Sequence, residues 1–162
     1  MFGGNVSLDN SLRTGRVIGA GRRRTAPAAA AVLMLGAALV LASAAIHLHL
    51  WATGYRHIGT IGPLFFAQGA LGIALGILVA LVRRPFIALI TALFALGTVV
   101  GLLLASHGGL FGYRTTMHAP WATTALSIEV AAVVLLCLGS TLAVSAERTH
   151  ARYMRSFKST EL

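Results

Sequence analysis

The sequence predicts an all-α integral membrane protein, a four-helix bundle with both termini in the cytoplasm. Three observations predict it: an apolar composition, the division of that composition into four helix-length runs, and arginines placed at the ends of those runs. Of 162 residues, 57% are hydrophobic and 10% charged, and the mean hydropathy is +0.82. A water-soluble chain of this size has too little interior to hide so much apolar surface. Lys and Arg number 13 against 4 Asp and Glu, a formal net charge of +9. Nucleic-acid binders share that imbalance, but here the cations flank apolar runs and form no patch on a polar domain, so no nucleic acid is expected as a partner.

Residues 1–26 are rich in Gly, Asn, Ser and Arg, end in Arg22-Arg23-Arg24-Thr25-Ala26, and read as a flexible basic cytoplasmic tail. Residues 27–146 form the membrane domain. Its first span, about 27–50, is almost wholly apolar and long enough, at about 1.5 Å per helical residue, to cross a bilayer. The same stretch has a competing reading as a secretory signal cleaved after Ala44, in Ala42-Ser43-Ala44. Against it, the basic leader is long and the apolar run continues through Ala45, Ile46 and Leu48. Cleavage would leave three spans in the same orientation.

The second span, 61–82, ends at Arg83-Arg84-Pro85, two charges and a proline that make a short turn out of the membrane. The third, 85–106, follows at once. Residues 107–120 carry the glycine-rich stretch Gly108-Gly109-Leu110-Phe111-Gly112-Tyr113 and read as an irregular loop. The fourth span covers about 121–144. In the tail, 147–162, Arg148, Arg152 and Arg155 share one helical face while Tyr153, Met154 and Phe157 share the other. That pattern predicts either a short helix on the membrane surface or a disordered basic end. Arg148, Arg152, Arg155 and Lys158 are expected to meet anionic inner-leaflet lipids.

Orientation follows from the cations. With the N-terminus inside, the inner side holds Arg13, Arg16, Arg22, Arg23, Arg24, Arg83, Arg84, Arg148, Arg152, Arg155 and Lys158, leaving Arg56 and Arg114 outside. This bias predicts an N-in, C-in protein of the plasma membrane. Trp51, Tyr55, Tyr113 and Trp121 fall where the chain would cross the outer headgroups.

In lipid, helices associate through close packing of small residues and through polar groups that seek partners. Gly69, Gly72 and Gly76 on the second span and Gly97 and Gly101 on the third contain GxxxG spacings, and predict that these two spans pack as a tight antiparallel hairpin. His47 shares a face with Gly36 and Ser43, Gln68 with Gly72 and Gly76, and Glu129 with Ala122, Ala125 and Ser140. Thr91 and Thr98 mark the inward stripe of the third span. Cys137, the single cysteine, reads as a small buried hydrophobe.

Glu129 is the one acidic residue within a span, and an intramembrane carboxyl marks a functional site by default. His47 and Gln68 fall at comparable depths, and His107 near the outer end of its span, so His47, Gln68, His107 and Glu129 are predicted to form a ligand or proton site. Five of the six histidines lie in the outer half or outer loops, which suggests a metal site drawn from His47, His49, His107 and His118, with haem or copper as the cofactor. His47 and His49 point about 200° apart on a helix and cannot both face one interior ion. No catalytic motif is legible: there is no HExxH, nucleophile elbow or phosphate-binding glycine loop.

The segments His47-Leu48-His49-Leu50-Trp51, Tyr55-Arg56, Ile61-Gly62-Pro63-Leu64-Phe65-Phe66 and Gly109-Leu110-Phe111-Gly112, with Glu129, resemble a group of small four-span membrane proteins of high-GC actinobacteria. The resemblance covers about 30–139 and carries no activity with it. A looser likeness to DoxX-like bundles is architectural only. These features lead to an accessory or small-ligand-binding membrane protein with an outer-leaflet polar pocket, acting alone, as a homo-oligomer or within a larger membrane complex. The alternatives are a haem- or copper-binding redox component and a proton-coupled transporter subunit using Glu129.

Overall fold

The structure, a computed structural model, describes residues 27–158, with side chains through Thr149. Four helices carry the chain: α1 (Pro27–Thr53), α2 (Ile61–Val82), α3 (Pro85–His107) and α4 (Ala122–Lys158), with a single 3₁₀ turn, Tyr55–His57, between α1 and α2. Each contains an 18-residue stretch of mean hydropathy between 2.1 and 2.6, so all four are long and apolar enough to cross a membrane. The chain is a multi-pass helical membrane protein. Its outward faces agree: Leu81 is 77% exposed, Phe86 71% and Leu93 69%, a surface that suits acyl chains and would aggregate in water.

The helix ends follow local chemistry. Pro85 opens α3 with its ring already at a helical φ, and Arg84 before it is extended, as a residue preceding proline prefers. Arg83 closes α2 in the left-handed region, φ 51°, and its guanidinium Nε donates to Ala80 O at 3.1 Å. That bond offsets part of the roughly 1–2 kcal/mol that a non-glycine residue spends there. At the far end of α3, the N–H groups of Gly108 and Gly109 both donate to Leu104 O at 3.0 Å, and Gly109 turns left-handed at φ 91°. α4 differs from expectation in length: it continues without a break past 146 to Lys158. The side chains of Arg152, Arg155 and Lys158 and the basic residues before Pro27 lie outside the described residues, while Arg148 is exposed.

α1 is the hub of the bundle, packing against both α2 and α4, while α2 and α3 touch sparingly. The α1–α4 contact is reciprocal. A Cβ built on Gly36 would stand 2.9 Å from Leu136 Cδ2, and one on Gly139 would stand 2.7 Å from Leu33 Cδ2. Each leucine therefore fills the groove left by the other helix's glycine. Because the helices are antiparallel, each step along α1 is matched by an equal step back along α4, and this register carries Ser43 to Glu129. A dense core, Leu33, Ala37, Val40, Val79, Ala88, Ala92, Ala132 and Leu136, fills the half of the bundle nearest the Arg83-Arg84 turn.

Two expectations are corrected. The second-span glycines serve α1 instead of α3: a Cβ on Gly69 would meet Leu48 Cγ at 2.5 Å, on Gly72 Ala44 Cβ at 2.9 Å, and on Gly76 Leu41 Cγ at 2.8 Å. Gly97 has nothing within 4 Å and Gly101 meets only Leu110, at 4.0 Å. One small face cannot serve two neighbours, and once α1 has taken it, α2 and α3 pack only loosely, with Phe94 Cε1 reaching to 3.7 Å from a Cβ on Gly72. Cys137 is exposed, on the outward side of α4, and is not a core hydrophobe.

Candidate functional site

The parting of α2 and α3 leaves a cavity of about 510 Å³ in the half of the bundle away from the Arg83-Arg84 turn. All four helices line it, chiefly with apolar side chains, and the 108–121 segment closes its end. Its size falls within the range of small-ligand pockets. Leu71, 54% exposed, and Leu93, 69% exposed, flank a lateral gap beside Gly97.

The floor is polar. His47 from α1 and Glu129 from α4 both line the cavity and are 8% and 2% exposed. Ser43 Oγ donates to Glu129 Oε1 at 2.9 Å. His47 Nδ1 lies 2.8 Å from Ser43 O, and since a carbonyl can only accept, Nδ1 carries the proton of that bond. Nε2 is then directed to the carboxyl, 3.8 Å from Oε1. That separation is within ion-pair range and beyond a direct hydrogen bond. The pair can hold one proton on either partner, as a neutral acid beside a neutral imidazole or as an ion pair. Thr98 on α3, whose hydroxyl bonds Ala95 O at 2.7 Å, also stands beside the carboxyl. No buried polar side-chain atom among the described residues lacks a partner.

An aromatic column rises from this floor. The rings of His47 and Phe65 lie 5.2 Å apart, those of Phe65 and Tyr55 stack at 4.6 Å, and those of Tyr55 and Tyr113 meet edge-on at 5.8 Å. Tyr113 OH donates to Tyr55 OH at 3.0 Å, pinning the closing loop to the 3₁₀ turn. Burial, and then the Tyr113 hydroxyl beside it, push the Tyr55 pKa up to about 12. The loop holds its shape through paired bonds, Leu110 N–H to Tyr113 O at 2.8 Å and Tyr113 N–H to Leu110 O at 2.9 Å. Phe111 and Gly112 between them have φ of 51° and 79°, the left-handed pair that a type I′ turn needs.

Of the predicted site residues, His47, Gln68 and Glu129 line this one cavity. His107 does not join them: it is exposed at the end of α3, with Nδ1 donating to Leu103 O at 2.9 Å. The predicted metal set is likewise dispersed. His49 is exposed on the opposite side of α1 from His47, edge-on to Trp121 at 6.2 Å between ring centres, and His118 is exposed in the loop. Among the described residues, no three His, Cys, Asp or Glu are grouped to hold a metal ion. The reason is helical geometry, since the two residues from His47 to His49 rotate the side chain by about 200° and send the two histidines to opposite faces of α1. Sequence reasoning did not propose Ser43, Phe65, Tyr55 or Tyr113 as site residues. Ser43 alone carried a signal, four residues before His47 on the same face. No protein-family model, curated protein or solved structure matches this chain.

Proposed function

We propose that this protein binds a small amphipathic molecule that partitions into the membrane, seating its polar end on the His47–Glu129 floor and its apolar body among the aromatic walls, as an accessory or small-ligand-binding component. The observation that carries this reading is one cavity of ligand size, lined by all four helices, whose only deeply buried ionisable groups are His47 and Glu129. An intramembrane carboxyl and imidazole are costly as mere filling, and both face the same space. In the N-in, C-in orientation that the cation bias favours, the cavity belongs to the outer leaflet of the plasma membrane, and the continued α4 carries Arg148 and the tail toward anionic inner-leaflet lipids.

The test uses Trp121, which lines the cavity. The Trp51→Phe protein, with Trp121 as its single tryptophan, is placed in phosphatidylcholine nanodiscs and titrated with ω-bromododecanol, whose bromine quenches indole on contact. Saturable quenching is expected, weakened at least about tenfold by Gly97→Leu, which adds bulk at the lateral gap from a position where a Cβ meets nothing within 4 Å. Linear quenching, unchanged by that substitution, would mean simple partitioning into lipid and end the proposal.

One observation favours a second reading. The His47–Glu129 pair, able to hold one proton on either side, suits a proton-coupled transport subunit. Proton-linked uptake in liposomes that survives Glu129→Gln would remove it.

A further inference from the structure

The chemistry of the floor bears on the class of molecule that the cavity takes, an inference that rests on the binding reading above. Two independent features converge. The first is charge. Among the lining residues the ionisable groups are His47, Tyr55, Tyr113 and Glu129, and none is Lys or Arg. The two cations nearest this end are turned elsewhere: Arg56 Nε donates to His57 Nε2 at 2.9 Å, and Arg114 Nη2 to Gly108 O at 3.3 Å. A carboxylate, sulfate or phosphate headgroup would therefore meet Glu129 in a low-dielectric space with no cation to compensate it, an expensive arrangement.

The second feature is hydrogen-bond polarity. His47 has committed its Nδ1 proton to Ser43 O, which turns the lone pair of Nε2 toward Glu129 and the cavity. Ser43 supplies one donor to Oε1, and the remaining lone pairs of the carboxylate are acceptors. A primary amine is a stronger base than imidazole or carboxylate, so it takes up the one proton the pair can hold, and the Nε2 lone pair and the carboxylate then face its ammonium as acceptors. The aromatic rings above it offer π-faces, which attract cations and are indifferent to anions.

We infer that the cavity takes lipophilic amines, whose ammonium end is held by the Glu129 carboxylate and the His47 Nε2 lone pair, and which reach it from the bilayer through the gap between α2 and α3. The route follows from the walls. The 108–121 segment closes the aqueous end and is tied down by the Tyr113–Tyr55 bond, whereas Leu71, Leu93 and Gly97 leave the side open. Glu129 lies about 12 Å along α4 from Trp121 by helical rise, so an amine with a dodecyl chain can bond at the floor and still reach the indole with its far end.

Three probes of one chain length decide the matter in the Trp51→Phe nanodiscs: ω-bromododecylamine, ω-bromododecanol and ω-bromododecanoate, all in neutral phosphatidylcholine so that surface charge concentrates none of them. The amine is expected to half-quench Trp121 at a concentration at least about tenfold below the alcohol, and the carboxylate to be the weakest of the three. Glu129→Gln is expected to abolish the amine's advantage over the alcohol, whatever it does to the absolute concentrations, while Glu129→Asp keeps part of the preference. Equal binding of all three, or preference for the carboxylate, overturns the amine inference while leaving the cavity reading in place. An amine preference that survives Glu129→Gln overturns it too. Should none of the three quench saturably, the binding reading itself falls. Where Glu129→Gln yields no folded protein, the ranking of the three probes on the parent chain decides alone.

Discussion

Replacing Gly139 by alanine tests the packing that sets the whole site. The added Cβ would stand 2.7 Å from Leu33 Cδ2, 2.8 Å from Cγ and 3.3 Å from the Leu33 backbone nitrogen. Leu33 is 0% exposed and cannot swing aside into lipid, so the helices must separate. Overpacking of this kind costs about 1–3 kcal/mol. Exchanging glycine for alanine within a helix returns up to about 1 kcal/mol. Combining the overpacking and propensity terms gives a net loss of up to about 3 kcal/mol, and in any case a protein less stable than Gly97→Ala by about 1–3 kcal/mol. Gly97→Ala isolates the propensity term, because its Cβ would meet nothing within 4 Å, and it is expected to be neutral or stabilising. Leu33→Ala alone opens a hole worth about 2–5 kcal/mol. In the double variant the new methyl group at 139 enters that hole, so the two losses should fall short of adding by about 0.5–3 kcal/mol. Reversible unfolding in mixed micelles with increasing SDS measures all four. Strict additivity of the two substitutions, or a Gly139→Ala protein as stable as Gly97→Ala, would show that these helices do not interlock as described.

Further expectations concern the floor, the closing loop, the topology and the metal question. Ser43→Ala leaves the buried Glu129 without its 2.9 Å donor and should cost about 1–2 kcal/mol in the same unfolding assay, against no loss for Thr53→Ala, whose hydroxyl bond is exposed. The proton on Tyr55 is held more tightly in the folded state than in the unfolded, so its contribution to stability is whole below pH 10 and fades as pH rises toward about 12. A thermal-melting series over that window should lose its slope in Tyr55→Phe, and an unchanged slope would contradict the Tyr55–Tyr113 contact. A reporter fused after Lys158 is expected on the cytoplasmic side, and an external signal would reverse the proposed leaflet of the cavity. Protein purified in mild detergent is expected to show no haem band and no stoichiometric copper or zinc, because His47, His49, His107 and His118 do not converge; a bound metal lost on His47→Ala would contradict that.

The corrections share a cause. His107 and the third-span glycines were placed by depth along each helix, a quantity read directly from residue numbers. Which helix faces which was not readable in that way. The GxxxG spacings of α2 and α3 are both real small-residue faces, but the first turned to α1 and the second to empty space. The consequence is chemical as well as architectural: where a tight α2–α3 hairpin was expected, the parted pair leaves the cavity on which the proposed function depends. Similarly, the stripes containing Ser43, His47 and Glu129 were visible as inward faces, whereas the 2.9 Å bond joining Ser43 to Glu129 required the α1–α4 register.

By itself the sequence determined the number of long apolar helices and the inward polar stripes, because these depend on hydropathy and helical period, both local properties of the chain. It also placed Glu129 and His47 within helix-length apolar runs. Only the tertiary structure decided that α1 is the hub, that Leu33 and Leu136 lock into Gly139 and Gly36, and that His47 and Glu129 share a cavity while His107 stays outside it. The physical reason is that in an apolar solvent every face of a hydrophobic helix is about equally content, so partner choice rests on the fit of individual side chains across an interface. That fit is a property of pairs of helices, and no single stretch of sequence contains it.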